Sequence, residues 1–258
     1  MEYFDERAVV IVGYPGRLAR GFAMIWPEAQ RVGRKHFDIT NKSATLEAME
    51  QLQPKIVVNC AAMTDVVRCE REPDMAWAVN VRGVRNLAEA CRRVGAFFVH
   101  FSSDYALCPV NEYAWTKRAS ESLADLTIRA KIYDETHWAW MALRAGQSIK
   151  MLTTEFLNPI TTTGAAIITE VLLRQQWRGV VEVGTKDRLT FWQVGCTWAE
   201  VLGLDVKLVD AVERIESAVE RPAEMFLPPQ SLEAAGIHVP SLAEDAQRHL
   251  ELKSKVVI

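Results

Sequence analysis

The chain of 258 residues lacks any uninterrupted apolar stretch close to the roughly 18 residues that a membrane-spanning helix needs. Its first residues are acidic and contain no basic segment followed by an apolar run, so no signal peptide is apparent. The net charge is −3, and the missing basic excess argues against a nucleic-acid-binding protein. We therefore expect a cytoplasmic protein that binds neither membranes nor nucleic acid.

Cysteine pairs and metal-ligand spacing are missing as well. The five cysteines are odd in number and include no C-x-x-C pair, which argues against a disulfide scaffold and a structural zinc site. The five histidines are scattered without the spacing of metal ligands. Hydrophobic residues make up 49% and charged residues 24%, as in ordinary globular proteins. We expect reduced thiols and no metal.

Strand-forming and helix-forming segments alternate through the first half of the chain. The predicted strands are mostly apolar and lie at 8–12, 30–34, 55–60, 96–101 and 126–129. Such alternation predicts βαβ units and hence an α/β fold of the Rossmann type, with a doubly wound parallel sheet. The pattern changes in the second half, which predicts a small C-terminal lobe.

A glycine-rich turn follows the first predicted strand and opens a helix. Gly13 permits a tight turn, Gly16 lets backbone N–H groups approach a pyrophosphate, and Ala19 allows close packing of helix and strand. This position favours a dinucleotide site, and a purely structural turn is the alternative. We predict an NAD(P)-binding domain, 1–146 plus about 178–205, and a smaller substrate lobe, about 147–177 plus 206–258.

Two adjacent cations stand near the end of the second predicted strand. An acidic residue at this place would bind a free ribose hydroxyl, whereas a cation accepts a 2′-phosphate. Arg34 and Lys35 therefore predict NADP(H) rather than NAD(H) as the cofactor, with Asp38 four residues beyond Arg34. The alternative is an exposed basic turn that leaves the cofactor preference open.

Tyr113 and Lys117 are four residues apart on a predicted helix and so share one of its faces. An ammonium close to a phenol lowers the phenol's pKa, which suits Tyr113 to proton transfer. Ser103 follows the predicted strand 96–101, at the edge where doubly wound folds hold ligands. We predict that Ser103 hydrogen-bonds a substrate carbonyl while Tyr113 donates the proton.

These residues belong to a wider resemblance. The chain resembles the extended short-chain dehydrogenase/reductase family and, within it, the dTDP-4-dehydrorhamnose reductases. The matching stretches are 13–18, 33–34 with 38–41, 57–64, 69–70 with 72–73, 78–81 with Gly83, 100–105, and Tyr113 with Lys117. The resemblance implies an NADP(H)-dependent reductase of a small-molecule keto substrate, the 4-keto group of a nucleotide-linked deoxysugar.

The resemblance also implies which residues contact the cofactor. Gly16, Arg17 and Leu18 would line the pyrophosphate. Asp38 and Ile39 would meet the adenine. The residues that would follow the third strand along the cofactor are Ala61, Ala62 and Met63.

The implied catalytic residues match the pattern read from the residues themselves. Ser103 would polarise the keto oxygen, with Asp104 beside the substrate, and Tyr113 would protonate that oxygen. Lys117 would hold the nicotinamide ribose and tune Tyr113. Asn80 lies in a motif typical of the family, where we expect a supporting role.

The substrate half departs from the family pattern. The segment between Tyr105 and Tyr113 is shorter than usual, and Ile132 stands where the family commonly has Trp. A reductase of a smaller non-nucleotide ketone and a non-catalytic NADP-binding regulatory subunit are therefore alternatives. Epimerase or dehydratase chemistry is favoured least, because no Glu follows Asp104. A homodimer is a further expectation. The cations available for a sugar diphosphate are Lys131, Lys150 and Arg221.

Overall fold

A computed structural model describes residues 4–222 and 224–255. Its central element is a six-stranded sheet in which all neighbouring strands are parallel, in the order β2-β1-β3-β4-β5-β8. The strands are β1 Val9–Val12, β2 Gln30–Val32, β3 Ile56–Asn59, β4 Phe97–Phe101, β5 Leu126–Arg129 and β8 Gly179–Glu182. The predicted α/β fold with a parallel sheet is confirmed.

Helices cover both faces of this sheet. The covering helices are α1 Arg17–Ile25, α2 Lys42–Leu52, α5 Val84–Val94 and α8 Thr162–Arg174, whereas α3 Val66–Arg71 and α4 Pro73–Trp77 pack against α6 Glu112–Ser120. Helices α1 and α8 pack together over one face, and α2 and α5 pack together over the other. A π-helical segment, Ala78–Gly83, joins α4 to α5.

The unbroken apolar run of β1 is explained by its position inside the sheet. All four residues, Val9 to Val12, are buried, with alternate side chains in the cores on opposite faces. Burying a side chain of this size contributes about 1.5–3 kcal/mol. Strand order reverses between β1 and β3, and ligands of such sheets bind at the carboxyl ends of the strands beside this reversal.

A second core lies beyond the sheet. It includes two small sheets, in which β6 Ile149–Leu152 pairs with β10 Val209–Val212 and β7 Phe156–Leu157 lies between β9 Leu189–Thr190 and β11 Glu224–Met225. Its helices are α7 Trp138–Arg144, α9 Phe191–Val201 and α11 Leu242–Lys255, whereas α10 Gln230–Ala234 places Leu232 in the core that α1 and α8 share with the large sheet. Two fully buried indoles, Trp140 and Trp198, stack at its centre with ring centroids 5.6 Å apart.

The two predicted units share elements in a way that the sequence does not indicate. Helix α8, which the prediction assigns to the smaller lobe, packs on α1 against the large sheet. Helix α9, which the prediction assigns to the cofactor domain, packs in the second core. The boundaries between the cofactor domain and the smaller lobe stay a prediction from the sequence. Among the described residues, no helix is both long and apolar enough to cross a membrane.

Candidate active site

A cleft of about 530 Å³ opens at the carboxyl edge of the large sheet. The predicted site residues on its wall are Gly16, Arg17, Leu18, Ala61, Ala62, Ser103, Tyr113 and Lys117. The structure thus brings together residues separated by a hundred positions in the chain. Gly13, Met63 and Asp104 lie next to lining residues, whereas Arg34, Lys35, Asp38 and Ile39 lie outside the wall of the cleft.

The glycine turn is shaped by contacts that only glycine permits. Gly13 has a φ of +103°, and a Cβ there would lie 2.7 Å from the backbone nitrogen of Ala61. The N–H groups of Gly13 and Tyr14 both donate to the Val32 carbonyl, at 2.9 and 3.0 Å. Gly16 caps α1 without a side-chain hydrogen bond. The first N–H groups of α1 are thus open to an anion in the cleft.

The basic turn after β2 packs directly on the glycine turn. A Cβ at Gly33 would overlap the carbonyl oxygen of Tyr14. Arg34 and Lys35 are exposed, and Arg34 lies 4.0 Å from the Asp38 carboxylate. Hydrogen bonds from the backbone and hydroxyl of Thr40 hold the pKa of Asp38 below its ordinary value. The cations therefore stand beside the dinucleotide turn.

Two residues predicted to contact the cofactor are held by their neighbours. The buried Ile39 side chain packs on Gly83 of the π-helical segment. The backbone of Met63 is held by Asn80, whose amide also donates to Thr116 on α6 at 3.0 Å. Asn80 is fully buried, so it couples the segment after β3 to the helix that carries Tyr113. Insertions of this π type frequently mark functional sites.

Tyr113 and Ser103 meet in the wall of the cleft. Ser103 Oγ donates to Asp104 Oδ1 at 2.6 Å, and both residues are buried. Burial raises the pKa of Tyr113 to about 12, opposed by hydrogen bonding to Ser103 and by Lys131, while Asp104 adds to the rise. The lower pKa expected from Lys117 is therefore not found, because desolvation of the phenolate outweighs the nearby cations.

Lys117 is buried beneath the cleft, 2% exposed, and its Nζ donates to the Phe101 carbonyl at 2.5 Å. Burial lowers the pKa of Lys117 to about 8, opposed by Glu121. His100 lies close by and exchanges hydrogen bonds with Asn59 and with Ser120 on α6. Burial holds the pKa of His100 well below its ordinary value, so it is neutral here.

Lys131 is a site residue that the sequence did not rank. It follows β5 and lines the cleft, with its Nζ 3.4 Å from Asp104 Oδ2 and 4.7 Å from the Tyr105 ring centroid. Burial opposes its charge, yet Asp104 and neighbouring tyrosines hold the pKa of Lys131 above its ordinary value. Arg221, from a distant part of the chain, also lines the cleft. The signal in the sequence is a lysine two residues after a buried strand.

His137 and Trp138 close the outer side of the cleft and were not predicted. They begin α7, whose first turn His137 caps. Glu135, just before them, accepts hydrogen bonds from His249 and Lys253 on α11, which fixes this segment. Nothing in the local sequence links Glu135 to a helix more than a hundred residues away.

Comparison with known protein families identifies the family of this chain. The model described as the RmlD substrate binding domain matches residues 7–254. The chain belongs to this family. The predicted place among the extended short-chain dehydrogenases/reductases is thereby confirmed.

One relative is a dTDP-4-dehydrorhamnose reductase of Streptomyces griseus, 42% identical over 104 residues. That alignment covers 35% of this chain and 34% of the relative, so it spans about a third of the relative's length. The solved structure of a Bacillus anthracis dTDP-4-dehydrorhamnose reductase, in complex with NADP, matches with a TM-score of 0.86 at 23% identity and covers 94% of this chain and 98% of that one.

A UDP-glucose 4-epimerase of Thermus thermophilus, in complex with NAD, has a TM-score of 0.75 at 18% identity and covers 96% of this chain and 99% of its own. At these identities the two solved structures show that the fold is shared. They also show that the same fold carries NADP in one protein and NAD in the other.

Proposed function

We propose that this RmlD family member is an NADP(H)-dependent reductase of the 4-keto group of a nucleotide-linked deoxysugar. The observation that carries the proposal is the convergence of Ser103, Tyr113 and Lys117 beside the open N-terminus of α1. The name of the Streptomyces griseus relative supports the same activity. An intact set of these three side chains favours an enzyme over the non-catalytic regulatory subunit.

The cleft has the charge that two anionic ligands require. The ionisable lining residues that carry a formal charge are Arg17, Lys117, Lys131 and Arg221, and the described lining includes no carboxylate. Burial lowers the pKa of His137, also on the wall, to about 4, so its ring is neutral. A wall of this kind attracts a pyrophosphate and a sugar diphosphate. We assign Arg17 to the first and Arg221 to the second.

The residues near α1 fit a dinucleotide. Unpaired N–H groups of the first turn would bind the pyrophosphate, with Gly13 and Gly16 allowing close approach. Arg34 and Lys35 beside the glycine turn would bind a 2′-phosphate, which favours NADP over NAD. We further propose that Asp38 and Ile39 lie near the adenine and that residues 61–63 follow the cofactor toward Lys117.

The chain's own residues supply the proton in this reaction. The nicotinamide supplies the hydride when the cofactor is bound. Tyr113 gives its phenolic proton to the keto oxygen as that oxygen becomes an alkoxide, which is general acid catalysis. Ser103, whose hydroxyl donates to Asp104 in this structure, lies beside the phenol and would turn its proton to the same oxygen when substrate is bound. Lys117, charged below pH 8, would hold the nicotinamide ribose. Tyr113 is buried, which keeps bulk water from the proton that is transferred.

Two further parts of the proposal concern the protein in the cell. All five cysteines are free, which suits the reducing cytoplasm. The exposed side chains of Met75 on α4 and Trp115 on the neighbouring α6 provide an apolar face for a homodimer. Light scattering of the purified protein tests the dimer.

The deciding experiment follows NADPH oxidation with dTDP-4-dehydrorhamnose and with a panel of small ketones. We expect turnover with the nucleotide-linked ketone, because Arg221 would have no anionic group to bind in a small ketone. Turnover with small ketones alone would favour the smaller-substrate alternative. Tight NADPH binding without turnover of any ketone would favour the regulatory subunit and overturn the proposal.

A further inference from the structure

An ion pair between a buried carboxylate, Asp104, and a partly exposed lysine, Lys131, stands beside the proposed catalytic hydroxyls. Asp104 is fully buried, and its two carboxylate oxygens face different partners. Oδ1 accepts the Ser103 hydroxyl proton at 2.6 Å, whereas Oδ2 faces Lys131 Nζ at 3.4 Å and has no hydrogen bond within the described residues. The carboxylate thus connects the ammonium on one side to Ser103 on the other.

Lys131 is placed so that it acts on both hydroxyls of the site. Its Nζ lies over the Tyr105 ring, and that ring packs edge-on against Tyr113 with centroids 5.7 Å apart. The strand end that carries Lys131 and the turn that carries Asp104 are neighbours, because β4 and β5 pair in the sheet. A buried cation and a buried anion are costly singly and tolerable together.

We propose that Asp104 and Lys131 are positioning residues: Asp104 holds the Ser103 side chain beside Tyr113, and Lys131 balances the charge of Asp104 at Tyr113. This inference deepens the proposed reductase function and rests on it for its kinetic consequences. Neither residue needs to touch the reacting atoms. The pair sets the position of the Ser103 hydroxyl and the ionisation of the Tyr113 hydroxyl.

The electrostatic part of the proposal predicts the order in which Tyr113 ionises in wild type and two variants as the pH rises. Among neighbouring groups, Lys131 lowers the pKa of Tyr113, whereas Asp104 and Cys69 on α3 raise it. The other groups that face the pair are Tyr105, Tyr133, His137, Glu155 and Arg221. These groups stay unchanged when only the pair is altered. Asp104→Asn leaves the cation alone beside Tyr113, and Lys131→Met leaves the anion alone.

The first experiment measures the ionisation of Tyr113 without turnover. The ultraviolet phenolate absorbance of each protein is compared, after a rapid jump to alkaline pH, with that of the same protein carrying Tyr113→Phe. We expect Tyr113 to ionise at lower pH in Asp104→Asn than in wild type, and at higher pH in Lys131→Met. Equal ionisation in all three proteins would overturn the proposal.

The second experiment separates positioning from simple stability, using Lys131→Met, Lys131→Arg and the double variant Asp104→Asn/Lys131→Met. We expect Lys131→Met to lower kcat by about tenfold or more while the KM for NADPH is unchanged, since misplaced groups slow the chemical step. Lys131→Arg keeps the charge and should recover most of kcat.

The double variant decides between the two roles. It removes the unpaired charge, so we expect thermal stability to return while kcat stays low. Return of kcat to the wild-type value would assign the pair a structural role only and overturn the proposal. A wild-type protein inactive on every ketone would refute the proposed function instead, and the phenolate measurement would still test the ion pair.

Discussion

The side-chain amide of Asn80 forms hydrogen bonds with both the N–H and the carbonyl of Met63. Its Oδ1 accepts the Met63 N–H at 2.8 Å, and its Nδ2 donates to the Met63 carbonyl at 3.0 Å. Because Asn80 belongs to the π-helical segment, that segment holds the chain after β3 at the edge of the cleft. The same amide reaches Thr116, one residue before Lys117.

Replacement of Asn80 by alanine should therefore damage both stability and cofactor binding. The partly buried N–H and carbonyl of Met63 lose their partner, and such a loss costs about 1 kcal/mol or more. We expect a lower free energy of unfolding in Asn80→Ala and a raised KM for NADPH. The control is Asn86→Ala, which removes a single hydrogen bond that the side-chain amide donates to the Ile39 carbonyl. Equal effects in both variants would contradict the role of Asn80.

Removal of the Tyr113 hydroxyl should stop proton transfer and leave binding intact. We expect Tyr113→Phe to lower kcat by at least about 10²-fold, the usual contribution of a positioned general acid. NADPH affinity, measured by fluorescence titration, should stay at the wild-type value. Trp115→Phe changes an exposed aromatic residue on the same helix and serves as the control. Unchanged turnover in Tyr113→Phe would exclude the proposed mechanism.

The basic turn should set the cofactor preference. Arg34→Ala removes a charge that we assign to the 2′-phosphate, and loss of one charge-assisted contact changes affinity by about tenfold. We expect kcat/KM for NADPH to fall by about that factor, with kcat/KM for NADH unchanged. Arg31→Ala, in the same region of the chain, is the matched control because its exposed guanidinium binds the Pro27 carbonyl. A preference for NADPH that survives in Arg34→Ala and Lys35→Ala would show that other residues select the cofactor.

Lys117 should make the stability of the protein depend on pH in a defined window. The pKa of Lys117 is about 8 in the folded protein, against 10.5 for an ordinary lysine. Between these two pH values the unfolded chain therefore binds more protons than the folded protein. Relative to Lys117→Met, the wild-type protein should gain stability as the pH rises through this window. The full gain is about 3 kcal/mol at about 1.4 kcal/mol per pKa unit.

Chemical denaturation of wild type and Lys117→Met at a series of pH values measures this gain. Lys55→Met, at an exposed lysine, should show no such trend against wild type. A stability difference that stays constant from pH 8 to 10.5 would contradict the burial of a charged Lys117. Turnover in Lys117→Met should be far below that of wild type at every pH, because the ribose contact is absent.

Local patterns in the sequence were sufficient to predict the strand, turn and helix at the glycine-rich end of the cleft. The apolar run of β1 and the spacing of Gly13 and Gly16 predict a strand, a turn and a helix in succession, and the structure has all three. Tyr113 and Lys117 share a helix face by period alone. The placement of α8 and α9 in the two cores could not be predicted, because the apolar residues of these helices do not reveal which core they enter.

The substrate half could not be read in this way. Lys131 and His137 reach the cleft from the segment between β5 and α7, Arg221 reaches it from a distant part of the chain, and no spacing rule connects them. The pKa of Tyr113 was expected to be low from its partner Lys117 alone, whereas burial decides its direction in the folded chain. Desolvation depends on tertiary packing, which a sequence motif does not contain.

The contact between Gly33 and the Tyr14 carbonyl has a practical consequence for redesign. A library that randomises the loop to exchange one coenzyme for another should leave position 33 untouched, since any larger residue pushes the two loops apart before selectivity can be tested. Diversity is better placed at 34 and 35, whose side chains point into solvent. Changes of coenzyme preference can therefore begin at position 34, directly after a position at which the neighbouring backbone leaves room only for glycine.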